Sequence, residues 1–194
     1  MTSETTRIEA FSDGVFAIAI TLLILEIRVP HEVPDLTNAL THLWPSYLAF
    51  FASFATIGVM WLNHHRLFTL IHRTDDGLIG LNLLLLLGIT WIPFPTAVLA
   101  EHLREEGGRV AAVLYGGSFF LIAIVFNVLW RYAVAKKMVH AHVDVPAITR
   151  QYSIGPIAYL ALTVLGAISA PAGLIASAVL AAYFARPPRL WRRV

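Results

Sequence analysis

The longest uncharged stretch of the chain runs from Tyr152 to Ala185, and its 34 residues constrain the fold more than any other feature. As one helix rising about 1.5 Å per residue it would be roughly 50 Å long, whereas the hydrocarbon core of a bilayer is about 30 Å thick. Pro171 and Gly173 lie near its middle, where a proline breaks a helix. The stretch therefore predicts two short membrane helices joined by a tight turn at Ser169–Gly173.

Four earlier segments also resemble membrane helices, each of which needs about 20 mainly apolar residues. They are Phe11–Ile27, Trp44–Asn63, Gly77–Ala100 and Val110–Trp130. The chain is 58% hydrophobic and only 13% charged, against about 25% charged in an average soluble domain. The sequence therefore predicts an all-α integral membrane protein with six transmembrane helices in a single domain, residues 1–194, built from one repeat. We expect no cleaved signal peptide, because the N-terminus lacks a basic region and a small-residue cleavage site.

The distribution of basic residues predicts the orientation, because cytoplasmic loops carry an excess of Lys and Arg. With the N-terminus inside, the three outer residues are Arg28, Arg104 and Arg109. The eleven inner ones are Arg7, Arg66, Arg73, Arg131, Lys136, Lys137, Arg150, Arg186, Arg189, Arg192 and Arg193. We therefore expect a multi-pass protein of the cell membrane with both termini in the cytoplasm.

Motifs of known chemistry are few. The chain has no cysteine, which excludes disulfides and thiolate sites, and it has none of the common nucleotide-binding or nucleophile motifs. A membrane enzyme built around a metal remains open, with His64, His65 and either Asp75 or Asp76 as ligands. These residues lack the spacing of a metalloprotease motif. We predict no metal, no cofactor and no enzymatic activity. The basic cluster at 186–193 abuts a membrane segment, so we interpret it as a topology anchor and expect no nucleic-acid binding.

Arg7 and Asp13 lie at the start of the first apolar helix, where a charge close to hydrocarbon is costly. Their separation of six residues does not bring them onto one helical face, so each needs partners on other helices. Asn82 lies inside the third apolar segment, and such amides hydrogen-bond across membrane helices. We predict a structural network in which Asn82 joins Arg7, Ser12, Asp13 and His64 or His65.

The first helix also carries Ile18, Leu22 and Leu25 on one face, with Thr21 beside them. Spacing alone leaves two interpretations open. The face packs against lipid or other helices, or it lines a pore in which aliphatic rings gate by dewetting and a hydroxyl ring replaces part of an ion's hydration shell. The potassium-filter sequence TVGYG is absent, so a potassium channel of this sequence would select without a carbonyl-lined loop.

The segment Arg7-x3-Phe11-Ser12-Asp13, followed by a helix rich in Ile, Leu and Thr, resembles the signature of the endolysosomal potassium channel family and its prokaryotic relatives. The resemblance extends to Trp61-Leu-Asn-His-His65 and to Ile92-Pro-Phe-Pro95. In that family each signature opens a six-helix repeat, and the prokaryotic members carry one repeat and form tetramers. The chain has one signature, so it is similar to the prokaryotic type.

The resemblance implies that the first helix lines the pore. It assigns the narrowest layer to Ile18, continues the constriction through Leu22 and Leu25, and gives Thr21 a role in potassium preference. It makes the signature a structural network rather than a set of ion ligands, with the members Arg7, Phe11, Ser12, Asp13, His64, His65 and Asn82. The implied protein is a homotetrameric channel in a prokaryotic plasma membrane that passes potassium and other monovalent cations.

Two other functions remain open from the sequence. A proton- or cation-coupled secondary transporter would use Asp13 and the histidines of the second helix as relay groups, although such carriers often show internal repeats and broken helices. The metal-dependent membrane enzyme is the third class. Unitary currents would separate a channel from a carrier.

Overall fold

The computed structural model describes residues 4–31 and 34–184, and this part of the chain is helical almost throughout. Helix α1 spans Glu4–Leu22 and ends in a 3-10 turn at Leu23–Glu26. The remaining helices are α2 (Leu36–His42), α3 (Trp44–Thr69), α4 (Asp76–Trp91), α5 (Pro93–His102), α6 (Gly108–Ala135), α7 (Val145–Ile168) and α8 (Ala170–Phe184). The described part of the chain is therefore all-helical.

Five segments are long and apolar enough to cross a bilayer: Thr5–Glu26, Trp44–Thr69, Asp76–His102, Gly108–Ala135 and Val145–Ile168. The third of them consists of α4 and α5, which meet at a kink where Pro93 removes a backbone donor. Helix α8 has 15 described residues, about 22 Å at 1.5 Å per residue, which falls short of the core thickness. Five crossings thus have the required length, and the sixth stays a prediction.

The break between α7 and α8 falls at the first residue of the predicted turn, Ser169, whereas residues 170–173 of that turn are helical. Ser169 alone separates the helices, and its extended backbone (φ −147°, ψ 110°) turns the chain. Pro171 follows inside the first turn of α8, where its missing N–H costs nothing. The two helices then pack tightly, since a Cβ added at Gly173 would lie 2.7 Å from the Cα of Gly166. Glycine at 173 is therefore required by the close approach of the two backbones.

The loops α3–α4 and α6–α7 are clamped together at the end of the bundle that carries the start of α1. The amide of His72 donates to the carbonyl of Met138 (2.9 Å), and the amide of His140 donates to that of Leu70 (3.0 Å). Asp75 caps α4 by accepting from the amide of Leu78 (2.8 Å). That bond lowers the pKa of Asp75. The bond therefore stabilises the fold at pH values above the ordinary pKa of an Asp carboxyl, and this stabilisation is lost as the pH falls through the lowered pKa.

Candidate functional site

One face of α1 packs into the protein and the opposite face is left open. The packed residues recur every three or four positions, as a helix requires, and contact α3 and α4. These are Ser12, Phe16, Ala19 and Leu23, each 2% exposed or less. The open face begins at Arg7 and Phe11 and continues toward the other end of the bundle. Helix α1 is thus a peripheral helix of the single chain, held from one side only.

The open face of α1 contains the α1 stripe, which we define as Ile18, Thr21, Leu22 and Leu25. Ile18 is 60% exposed and Leu25 is 72% exposed, and no described residue covers them. Other helices also expose aliphatic residues, and those of α7 recur along one side of the helix, such as Ile157, Val164 and Ile168. The α1 stripe differs because an exposed hydroxyl interrupts it.

The Thr21 side chain is oriented by its own helix. Its hydroxyl donates to the carbonyl of Ile18 at 2.9 Å. A threonine hydroxyl has one proton and two lone pairs. Because the proton is used within the helix, the oxygen is left to act as an acceptor on the open face. An oxygen acceptor is the group that a partly dehydrated monovalent cation needs.

A buried chain of hydrogen bonds joins α1, α3 and α4 behind the stripe. The amide nitrogen of Asn82 donates to the hydroxyl of Ser12 (3.0 Å), and Nε2 of His64 donates to the amide oxygen of Asn82 (2.8 Å). The hydroxyl of Ser12 itself donates a hydrogen bond to the carbonyl of Ile8 (2.8 Å). All three side chains are at most 2% exposed. The network therefore fixes the position of α1 on its two neighbours.

Asp13 and His65, also expected in this network, lie outside it. Asp13 accepts from the indole nitrogen of Trp61 at 2.8 Å. His65 stacks on Trp61, and its Nδ1 lies 3.9 Å from a carboxylate oxygen of Glu9, an ion pair only when the ring is protonated. Sequence reasoning missed Trp61 and Glu9 as partners, since tryptophans near span ends usually belong to an aromatic belt. The spacing of Trp61 and His65, which puts both on one helical face, is the signal that was available.

Arg7 and Phe11 are both exposed on the open face of α1. Within the part of the chain that the structure describes, the Arg7 guanidinium forms no ion pair with an acid. Within one chain the structure therefore brings together Ser12, His64 and Asn82, whereas Arg7 is turned away from these three residues.

The weaker signals of the sequence have structural roles. Asp75 caps α4 and accepts from the hydroxyl of Tyr132 (3.0 Å), so it is engaged in joining α4 to α6. In the two clamped loops the His140 ring stacks on the ring of His142 and contacts the ring of His72 at a tilt of 55°. Among residues 4–31 and 34–184, no three acidic or histidine side chains converge in a way that could hold a metal ion.

We expect Asn82→Ala to destabilise the protein by about 2–6 kcal/mol, because it leaves the N–H of His64 without an acceptor and the buried oxygen of Ser12 without a donor, at about 1–3 kcal/mol each. Thermal unfolding in detergent measures the loss. Asn63→Ala is the matched control, since the Asn63 amide donates only to the Val59 carbonyl of its own helix (3.0 Å). Equal melting temperatures for the two variants would contradict a network that holds α1.

Comparison with known proteins gives consistent matches. Residues 7–93 match the family model described as the endosomal/lysosomal potassium channel TMEM175. A protein of Chamaesiphon minutus named a potassium channel is 54% identical over 94% of both chains. A potassium channel of Streptomyces collinus is 44% identical and covers 94% of this chain and 92% of its own length. The crystal structure of a lysosomal potassium-selective channel TMEM175 homologue from Chamaesiphon minutus superposes with a TM-score of 0.87, at 51% identity over 98% of this chain and 99% of that one.

Proposed function

This chain belongs to the TMEM175 family, and we propose that it is a potassium channel whose permeation path runs along α1. The single observation that carries the channel function is the 54% identity to a protein named a potassium channel across 94% of both chains. The uncovered α1 stripe supports the position of the path. The family is a channel family, so the metal-dependent enzyme is set aside. The ion passed is potassium, together with other monovalent cations.

We propose that four copies of the chain surround the path. One helix per chain cannot enclose a pore, and a cyclic ring of identical chains is the simple way to close one. In such a ring the open face of each α1 turns toward the axis and toward the neighbouring copies. The arrangement also offers Arg7 an acidic partner on a neighbouring chain, since no acid pairs with it among the described residues of one chain.

We expect the purified protein in nanodiscs to have the mass of four chains of 21.4 kDa each. The physical reason is that an isolated chain leaves the α1 stripe and Arg7 uncovered on one face. Native mass spectrometry measures the number of chains directly. A stable monomer or dimer at micromolar protein concentration would contradict a pore enclosed by α1 helices.

Within the ring we propose that Ile18 forms the narrowest layer and the gate. Leu22 and Leu25 continue an apolar constriction, which holds a pore shut by excluding water. The proposed selectivity layer is Thr21, whose free lone pairs face the open side of α1. Ser12, Asn82 and His64 anchor the back of the helix and do not touch the ion. Phe11, Asp13 and His65 complete the structural assembly around the helix start.

We further propose that the protein lies in the cell membrane with both termini in the cytoplasm. The eleven basic residues on the inner side against three on the outer side support this orientation. The loop between α5 and α6 then faces outward, and the loop between α6 and α7 faces inward. Residues 186–193, which contribute four of the inner charges, lie outside the described part of the chain.

A cysteine placed at the exposed position Glu106 should react in intact cells with a membrane-impermeant maleimide, and one at the exposed position Ala141 should react only after permeabilisation. The natural chain has no cysteine, so it serves as the unlabelled control and each signal comes from a single site. Labelling of Ala141→Cys from outside, with Glu106→Cys protected, would reverse the proposed orientation.

The experiment that tests the function is recording from purified protein in planar bilayers with potassium as the charge carrier. We expect unitary current steps. The runner-up function is a proton- or cation-coupled carrier, and the observation on its side is the buried Nδ1 of His64, which has no partner among the described residues. A carrier gives flux without unitary steps, and potassium flux that requires a proton gradient and shows no steps would replace the channel with this alternative.

A further inference from the structure

Arginine side chains mark the same end of two neighbouring helices, α6 and α7. A short loop joins the helices, and they pack side by side. Arg131 directly follows the uncharged residues 110–130, and Arg150 comes two positions before the uncharged residues 152–185. The two guanidinium groups therefore lie at a similar depth, where the apolar part of the bundle ends.

Neither arginine is paired with an acid. Both side chains are exposed, and no acidic group among the described residues forms an ion pair with either of them. Asp144 is the acid nearest to Arg150 along the chain, and it caps α7 by accepting from the amide of Ala147 at 3.1 Å. Because a guanidinium in a protein is always charged, this end of α6 and α7 presents two positive charges without an acidic partner.

The Arg131 side chain is held across the gap between the two helices. Its Nη2 donates to the hydroxyl of Ser153 at 3.3 Å, and that hydroxyl donates to the carbonyl of Thr149 at 2.8 Å. Ser153 follows Arg150 by three positions, so both lie on one side of α7. The bond thus brings Arg131 to the side of α7 that carries Arg150. A guanidinium has five N–H donors, and this bond uses one of them.

An exposed apolar face runs from each arginine toward the middle of the bundle. On α7, Ile154 and Ile157 follow Arg150 by four and seven positions, and they are 45% and 70% exposed. Helix α6 repeats the pattern with three exposed residues that precede Arg131 by three, seven and ten positions: Val128, Ile124 and Leu121. Each helix therefore presents a cationic group at the end of an apolar strip on one helical face.

We propose that the surface formed by Arg131, Arg150 and these two apolar faces binds an anionic phospholipid. The phosphate of such a lipid offers charged oxygen acceptors, which a guanidinium binds through parallel hydrogen bonds. Its acyl chains lie along the exposed aliphatic residues. Basic pockets between membrane helices recognise anionic head groups in this way. A zwitterionic lipid fits less well, because the two arginines repel its positive group.

The position of α7 in the chain leaves this surface open to lipid. Helix α7 packs on α6 and α8, whereas α1 packs on α3 and α4. In the proposed ring the open face of α1 turns toward the axis, so α7 lies toward the outside. The assignment of the lipid to the inner leaflet rests on the proposed orientation, whereas binding itself does not depend on channel function.

Native mass spectrometry of the full-length protein in detergent tests the site, with dioleoyl phosphatidylglycerol as the anionic probe. We expect saturable binding of this lipid. Dioleoyl phosphatidylcholine has the same acyl chains but no net charge, so it should bind at least about fivefold more weakly. Glycerol 1-phosphate has the charged group without acyl chains and should show no saturable binding at the same concentrations. Equal affinity for the two lipids, or saturable binding of glycerol 1-phosphate, would overturn the proposal.

Arg131→Gln and Arg150→Gln should each weaken the binding of phosphatidylglycerol about fivefold, and the double variant about 25-fold. This is the affinity that a basic residue contributes beside anionic lipid head groups. Binding of phosphatidylcholine should change little. Both positions are exposed, so the variants should keep the melting temperature of the natural chain. Unchanged binding of phosphatidylglycerol to the double variant would contradict the site.

Lys137→Gln is the matched control. It removes an equal charge from the same end of the bundle, but Lys137 is exposed beyond the end of α6 at Ala135 and lies past the apolar faces. We expect a change in affinity of less than about twofold. A loss as large as that of Arg131→Gln would mean diffuse attraction to the whole basic end. A changed number of chains in the double variant would mean that the surface joins copies of the protein. Either result would overturn the proposal, and lipid affinities leave the test of ion conduction untouched.

Discussion

Replacing Ile18 with alanine is expected to raise potassium flux by at least about tenfold, which corresponds to about 1.4 kcal/mol removed from the barrier to permeation. Ile18 is a large aliphatic residue of the 19-residue helix α1, and it is 60% exposed on the open face. In a ring of four chains, four of these side chains meet near the axis. They offer no oxygen to a cation, so a narrow ring of them excludes water and the hydrated ion together.

Alanine widens that layer without adding a polar group, and Ile18→Asn adds amides that water can solvate. Both variants should conduct more than the natural protein, since each removes the dewetted barrier by a different route. Potassium flux from liposomes, normalised to the amount of tetramer inserted, measures the change. If both variants raise potassium flux, the increase comes from the loss of the barrier and not from a particular property of alanine or asparagine.

Ile20→Ala is the matched control for the gate. Ile20 is the same residue type on the same helix, two positions after Ile18. At that spacing its side chain points to the other side of the helix, where it packs against the core. Its truncation should lower stability and leave flux per tetramer near the natural value. If the Ile18 variants leave flux unchanged, or if Ile20→Ala raises it equally, the constriction does not lie on the α1 stripe.

The sequence predicts the crossing helices well because hydrocarbon thickness and charge placement leave few alternatives. A break in the long uncharged run is confirmed, although it occupies Ser169 alone and not the whole predicted turn to Gly173. The helix limits were less well predicted. Helix α1 begins at Glu4, before the apolar residues, because hydropathy reports where lipid begins and not where backbone hydrogen bonds begin.

Residues 131–151 separate the fourth predicted span from the fifth, and they are partly helical in the structure for a similar reason. Helix α6 continues to Ala135, and α7 already begins at Val145, after its Asp144 cap. The short helix α2 was missed because it lies outside the apolar segments. Its start is nevertheless marked by Asp35, whose side chain accepts from the amide of Asn38, an ordinary helix cap.

The hydrogen bonds behind α1 could be predicted from the sequence only in part. Ser12, Asn82 and His64 lie together as expected, since buried amides in membrane helices need partners on other helices. The partner of Asp13 is Trp61, a pairing that hydrophobic periodicity does not reveal. The gate and selectivity roles of the α1 stripe depend on how several chains meet, and the contacts within one chain do not determine that arrangement.

Thr21→Val is expected to lower the preference for potassium over sodium by about three- to tenfold, which corresponds to roughly 0.6–1.4 kcal/mol of differential ion stabilisation. Valine has nearly the same shape as threonine, so the pore keeps its width and loses only the hydroxyl. In the natural chain that hydroxyl donates its proton to the Ile18 carbonyl at 2.9 Å and keeps its lone pairs free on the open face. A ring of such oxygens replaces part of the hydration shell of a cation, and a ring of methyl groups does not.

Reversal potentials under mixed potassium and sodium gradients measure this change independently of how many channels are open. Thr21→Ser is the matched control, because serine keeps the hydroxyl and the same intrahelical acceptor while it loses one methyl group. It should retain most of the natural preference, although the layer becomes slightly wider. If serine and valine lower the preference equally, the width of the layer sets selectivity and the oxygen does not. If valine leaves the preference unchanged, selectivity arises at another layer, and the assignment of Thr21 must be withdrawn even if the Ile18 gate stands.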